Sequence, residues 1–129
     1  MARIARVVVP GLPHHVTQRG NHREPMFFRA EDYQFYRRLI ATAARRAGAT
    51  IWAYCLMRNP VHLIVTPADR NGLRRTFGEA HRCYTGAINA RVRLDRPSFQ
   101  GRFGAVVMDE PHCWRRHATS PSIQWSRGW

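Results

Sequence analysis

At 129 residues and 15.0 kDa the chain has the length of one domain. Its 44% of hydrophobic residues are enough to fill a single core, which excludes global disorder. Lysine and arginine together number 21 against 8 acidic residues, a net charge of +13, and the sequence holds no lysine. GC-rich coding accounts for arginine in place of lysine but not for the charge, which points to a polyanionic partner.

No apolar run approaches the roughly 18 to 20 residues that span a bilayer, and no sustained basic amphipathic helix with an aromatic face stands out. The apolar stretch Val7 to Val9 stops at Pro10, too short for a signal-peptide core. A cytoplasmic protein with no membrane partner is therefore expected. Cys55, Cys83 and Cys113 form an odd set without paired spacing, so neither a disulfide frame nor a zinc knuckle is implied. Cys55 and Cys83 read most simply as small buried apolar residues.

In chain order, Pro13 to Arg19 alternates His15, Thr17 and Arg19 against His14, Val16 and Gln18, which predicts a strand ending at Gly20 and Asn21. Glu31 and Asp32 open a helix to Arg46, with Tyr33, Tyr36, Leu39, Ile40 and Ala43 at helical spacing and Gly48 as its stop. Thr50 to Met57 and Val61 to Thr66 are β-rich runs joined by the turn Arg58-Asn59-Pro60, a hairpin. Asn71 can cap a second helix carrying Phe77, Ala80, Tyr84 and Ile88 to about Arg91, with Gly78 and Gly86 as weak points. Phe103 to Met108 is a last strand. The order βαββαβ predicts an α+β, ferredoxin-like sandwich: a four-stranded antiparallel sheet with both helices on one face. From Pro111 the composition changes to a tryptophan- and serine-rich tail without aliphatic periodicity, which does not read as a core element.

Three groups could carry chemistry. His62 lies two residues after Pro60, so both positions project to the same face of the strand. Two histidines there would make half a metal site, whereas one alone also suits a polar residue on a half-exposed strand. Tyr84 and His81 share a helix face. A tyrosine hydroxyl, with its pKa near 10, needs an activated electrophile to act as a nucleophile; packed on a sheet it is simply an aromatic. Finally, Arg19, Asn21 and Arg23 after the first strand, and Arg102 before the last, place arginine among glycine, amide and aromatic residues. Such loops suit phosphate pairing and base stacking, though solvated loops look similar.

Together RIARVVVPGLPHHVTQRGNHRE, the DY..FYRRL helix, WAYCLMRNPVHLIVTP, EAHRCYTGAINAR and SFQGRFGAVVMDE resemble the single-tyrosine HUH transposases, and within them the REP-associated tyrosine transposases, over about Ala2 to Glu110. The resemblance implies a DNA transposase with a ferredoxin-like domain over residues 1–110. Its partner would be single-stranded DNA folded into imperfect hairpins, REP-like palindromes, with no small-molecule substrate. It further implies a His-hydrophobe-His pair holding Mg²⁺ or Mn²⁺, which polarises the scissile phosphate, and a tyrosine that attacks it to give a 5′-phosphotyrosine. Carried over by position, the nucleophile is Tyr84 and the second histidine of the pair is His62; His81 is the candidate third ligand from face geometry. A monomer or a dimer fits the resemblance.

Two departures stand out. The family's LMPNHVHL block is here Leu56-Met57-Arg58-Asn59-Pro60-Val61-His62-Leu63, so Pro60 replaces the first metal-binding histidine and the metal site is expected to be damaged. After Met108-Asp109-Glu110 the family's alanine-rich helix and Asn-Pro motif give way to HCWRRHATSPSIQWSRGW, the divergent tail 111–129, for which a frameshift near His112 is the expected origin. A transposase impaired in this copy is the first expectation; a non-catalytic hairpin-DNA-binding relic is the second. A ferredoxin-like RNA-binding domain is disfavoured by the absence of the K/R-G-F/Y-G/A-F-V-x-F/Y stacking signature.

Overall fold

The computed structural model describes residues 7–20, 26–92, 103–108 and 124–125. Its elements follow in the order β1 (His14–Gln18), α1 (Ala30–Ala47), β2 (Thr50–Leu56), β3 (Val61–Thr66), α2 (Gly72–Val92), β4 (Gly104–Val107) and β5 (Gln124–Trp125). The strands form one antiparallel sheet in the order β4-β1-β3-β2-β5. The first four strands in that order are the expected four-stranded sandwich. The two-residue β5 extends it at the free edge of β2, where Ala53 pairs with Trp125; a strand in the tail was not expected from its composition. The rest of the division at residue 110 lies outside the described residues.

Period-2 alternation decides which sheet residues meet the helices. Val16 of β1 and Val61, Leu63 and Val65 of β3 are buried in one cluster with Tyr36 and Ile40 of α1 and Leu73, Phe77, Ala80, Tyr84 and Ile88 of α2. The four apolar positions expected on the second helix, from Phe77 to Ile88, are therefore its core stripe. On the other face only a small cluster of Ala53, Ile64 and Met108 is buried. That face carries no helix among the described residues, and His15, Thr17 and His62 stand on it.

β1 is polar for a core strand, and its buried polar groups are matched by backbone. His14, fully buried, places Nδ1 2.8 Å from the Leu12 carbonyl and accepts from the Val9 amide at Nε2, 3.1 Å away. Buried Gln18 donates from Nε2 to the Arg19 carbonyl at 2.9 Å. Within α1 the first turn is closed by Asp32, whose Oδ2 accepts from the Phe28 and Arg29 amides at 2.8 and 3.1 Å. Its last turn ends on Gly48 at φ 71°, a left-handed conformation that favours glycine.

At the start of α2, Asp69 organises the chain: it accepts from the Asn71 amide at 2.9 Å and pairs with Arg75 at 2.6 Å. The helix runs without interruption through Gly78 and Gly86. Gly72 has a different role, because a Cβ there would stand 2.9 Å from the Cβ of Pro67. Gly72→Ala is expected to destabilise by about 1 to 3 kcal/mol through overpacking. Gly78→Ala, in open space on the helix exterior, is expected to stabilise by about 0.5 to 1 kcal/mol. Urea midpoints of the two variants check the opposite signs; a matching gain in both would remove the close approach at Pro67 as a constraint.

Candidate nucleic-acid interface

The helix-free face gathers its polar residues through strand register. Thr17 of β1 pairs with His62 of β3, and His15 pairs with Ile64, so His15 sits diagonally beside His62 on the same face. Their rings stack with centroids 5.3 Å apart and planes inclined by 22°. His15 Nε2 is 3.1 Å from His62 Nδ1, and Thr17 Oγ1 is 3.3 Å from that same nitrogen. A shallow depression beside the pair is lined by Ala53, Cys55 and Ile64. Burial holds the His62 imidazole below its ordinary pKa and so in its neutral form near pH 7.

The mouth of this face is closed by the β2–β3 turn. Asn59 Oδ1 accepts from the Gly20 amide at 2.9 Å, and the Met26 amide donates to the Arg58 carbonyl at 2.9 Å. The first bond holds the chain after β1 beside the turn, and the second holds the segment before α1 to it. Arg19 directly follows Gln18, the last residue of β1, whose partner is Val61. Arg19 and Arg58 are both exposed. Asn21, Arg23 and Arg102 lie outside the described residues.

The structure separates the other proposed site residues from His62. Tyr84 is fully buried on the helix-covered side of the sheet, where its hydroxyl donates to the Met26 carbonyl. Phe27, Phe35 and Tyr36 surround its ring with centroids 5.6, 6.0 and 5.5 Å away. Burial pushes the phenol's pKa up, and the Asp32 carboxylate adds to the effect. His81 stays on that side too: its Nε2 accepts from the Tyr36 hydroxyl at 2.7 Å, and its ring stacks on Tyr36. Burial depresses the His81 pKa to about 3, so it is a neutral acceptor for a buried phenol.

Tyr84 and His81 thus stand on the helix-covered side of the sheet and His62 on the other, so this structure does not bring the three together. The helical periodicity that put Tyr84 and His81 on one face also turned that face into the core. The residue that sequence reasoning missed is His15, which belongs to the right row of β1 but gains its meaning only from the register with β3.

The fit to Mg²⁺ or Mn²⁺ is poor. Pro60 has no side-chain lone pair, and no group of three His, Cys, Asp or Glu side chains suited to a metal occurs among the described residues. The oxygen-rich ligand set that Mg²⁺ demands is not what this face offers.

No protein-family model matches the chain, and no curated protein matches it. Two solved structures are similar to it. One is a REP-associated tyrosine transposase bound to a REP hairpin, with TM-score 0.72 and 20% identity, covering 91% of this chain and 68% of the other. The second is a protein from Deinococcus radiodurans R1 assigned as a transposase, with TM-score 0.64 and 15% identity, covering 91% of this chain and 94% of the other. The βαββαβ sandwich, read from the sequence and built by the register described above, thus shares the fold of that REP-associated tyrosine transposase.

Proposed function

We propose that this chain binds single-stranded DNA folded into imperfect hairpins of the REP type, using its helix-free sheet face, and that in this copy binding is uncoupled from cleavage through Tyr84. The observation that carries the reading is the gathering of Thr17, His15 and His62 on one sheet face, with exposed Arg19 directly after β1, in a chain with net charge +13. Arginine beside strand-borne hydrogen-bonding groups is suited to phosphate oxygens and to bases freed from pairing. The similar transposase bound to a REP hairpin supports this class of ligand.

The strand-transfer reading, with a 5′-phosphotyrosine on Tyr84, needs the phenol to reach a phosphate held near His62. The sheet lies between them. The hairpin-binding reading needs no such movement, and it is favoured for that reason.

Fluorescence anisotropy with hairpin oligonucleotides from the gene's flanks tests it. Log K should fall linearly with log salt, with a slope of about −0.7 for each phosphate neutralised. Arg19→Ala should weaken binding and make the slope shallower by about 0.7. A salt-independent affinity, or a fully paired duplex bound as tightly as the hairpin, would overturn the proposal.

A further inference from the structure

We propose that Trp52 is a stacking platform for an unpaired base of the bound hairpin DNA, standing on the helix-free face at the end opposite the β2–β3 turn. The inference deepens the hairpin-binding proposal and rests on it. Trp52 is 46% exposed, the largest of the exposed hydrophobic side chains among the described residues. Exposure alone carries little, since single apolar side chains are common on protein surfaces. What sets this one apart is that it is held: its Nε1 donates to Thr66 Oγ1 at 2.8 Å. Thr66 lies four residues after His62 in β3, so alternation puts it in the His62–Ile64 row of the helix-free face. The bond therefore ties the indole to that face.

The chemistry of the side chain selects a base. Indole has one polar group, an N–H that only donates, and Thr66 occupies it, so what Trp52 offers a partner is its apolar π surface. The register of β2 against β3 shifts between Ile51, which pairs with Val65, and Ala53, which pairs with Ile64, and Trp52 is the extra residue between them. Such a bulge bends its strand and re-aims the side chain it carries. It also brings Ala53, a small residue, onto the helix-free face with Ile64, as a low apolar floor. Along β3 the indole's anchor at Thr66 is about 13 Å from His62, and exposed Arg19 follows the strand end that pairs with Val61. A run of unpaired nucleotides laid along β3 thus meets a guanidinium at one end and the indole at the other. Every base has a π face, so the site is expected to tolerate any base but not the lack of one.

The test uses the whole chain and hairpin oligonucleotides with unpaired flanks, read by fluorescence anisotropy. Trp52→Ala should weaken binding by about 5- to 150-fold, the loss of one stacked base, while Trp52→Phe, which keeps a ring, should lose less. The salt slope of Trp52→Ala should stay at the parent value, because stacking neutralises no phosphate; Arg19→Ala, in contrast, makes it shallower. An abasic residue placed in turn at each unpaired position gives a readout that needs no altered protein: at one position it should weaken binding to the parent protein by the same factor. At that position Trp52→Ala should add little, since both changes remove one contact. Parent affinity in Trp52→Ala, a salt slope that changes as in Arg19→Ala, or losses that add at every abasic position would each overturn the stacking site while the hairpin-binding proposal stands. A parent protein that leaves the hairpin unbound would overturn both.

Discussion

Asp32→Ala is expected to cost about 2 to 3 kcal/mol of folding stability, since it removes a buried carboxylate that accepts charge-assisted hydrogen bonds from two amides and from Arg91. Asp32 is 1% exposed and makes two kinds of contact at once. Its carboxylate closes the first turn of α1 through the Phe28 and Arg29 amides, and it receives both guanidinium nitrogens of Arg91, with Nη2 to Oδ2 at 2.8 Å. Arg91 is in the last turn of α2, so one carboxylate ties the start of one helix to the end of the other. Removing it leaves the Phe28 and Arg29 amides without their acceptor and Arg91 without its partner, which is why the loss exceeds that of a surface pair, worth about 1 kcal/mol or less. Against a total stability of about 5 to 15 kcal/mol, such a loss populates the unfolded chain measurably.

The same contact sets a pH dependence. The Arg91 hydrogen bonds, opposed by burial and aided by the two amides, lower the Asp32 pKa from 3.8 to about 2. The folded value lies below the unfolded one, so the stabilisation is complete above about pH 4 and is lost as pH falls through about 2; the shift corresponds to about 2 kcal/mol. Urea denaturation of the unaltered protein between pH 2 and 5 should show this loss, and Asp32→Asn should flatten that part of the profile. A midpoint for Asp32→Ala within 1 kcal/mol of the parent protein, or an unaltered acid limb in Asp32→Asn, would show that the helices are joined by apolar packing alone.

The fold was legible because its signals are local. Apolar spacing in α1 and α2, the β-rich runs around Arg58-Asn59-Pro60 and the glycine after α1 each follow from a few neighbouring residues. The candidate site was less legible because it depends on register between strands distant in sequence. The separation of 47 positions between His15 and His62 hides a contact of 3.1 Å. In β2 the register shifts between Ile51 and Ala53, so counting alternate residues from Thr50 puts Cys55 on the wrong face. His81 misled for a different reason. Its polar ring on a helix face looked available, yet its partner is the hydroxyl of Tyr36, another core residue 45 positions away.

Tyr84 gives the last large effect and decides the chemistry. Tyr84→Ala is expected to destabilise by about 3 to 5 kcal/mol, as for a fully buried aromatic, because the phenyl ring fills the space between Phe27, Phe35 and Tyr36. Tyr84→Phe keeps the ring and removes only the donor to the Met26 carbonyl, so about 1 to 2 kcal/mol is expected from an acceptor left without its partner. Neither the position nor the pKa of this phenol suits a nucleophile: it is raised by burial, bonded to backbone and turned from the face that holds His62. Three results should therefore agree. Tyr84→Phe should bind hairpin DNA with the parent affinity, the parent protein should give no Tyr84 peptide–DNA adduct by mass spectrometry, and Pro60→His should not create one. A Tyr84 adduct in either protein would require the core to open by more than the free energy of losing that packing, and would return the chain to the strand-cleaving class. Without one, Pro60 and the packing of Tyr84 point the same way: the open sheet face that carries His62 and the buried tyrosine are separate parts of this molecule.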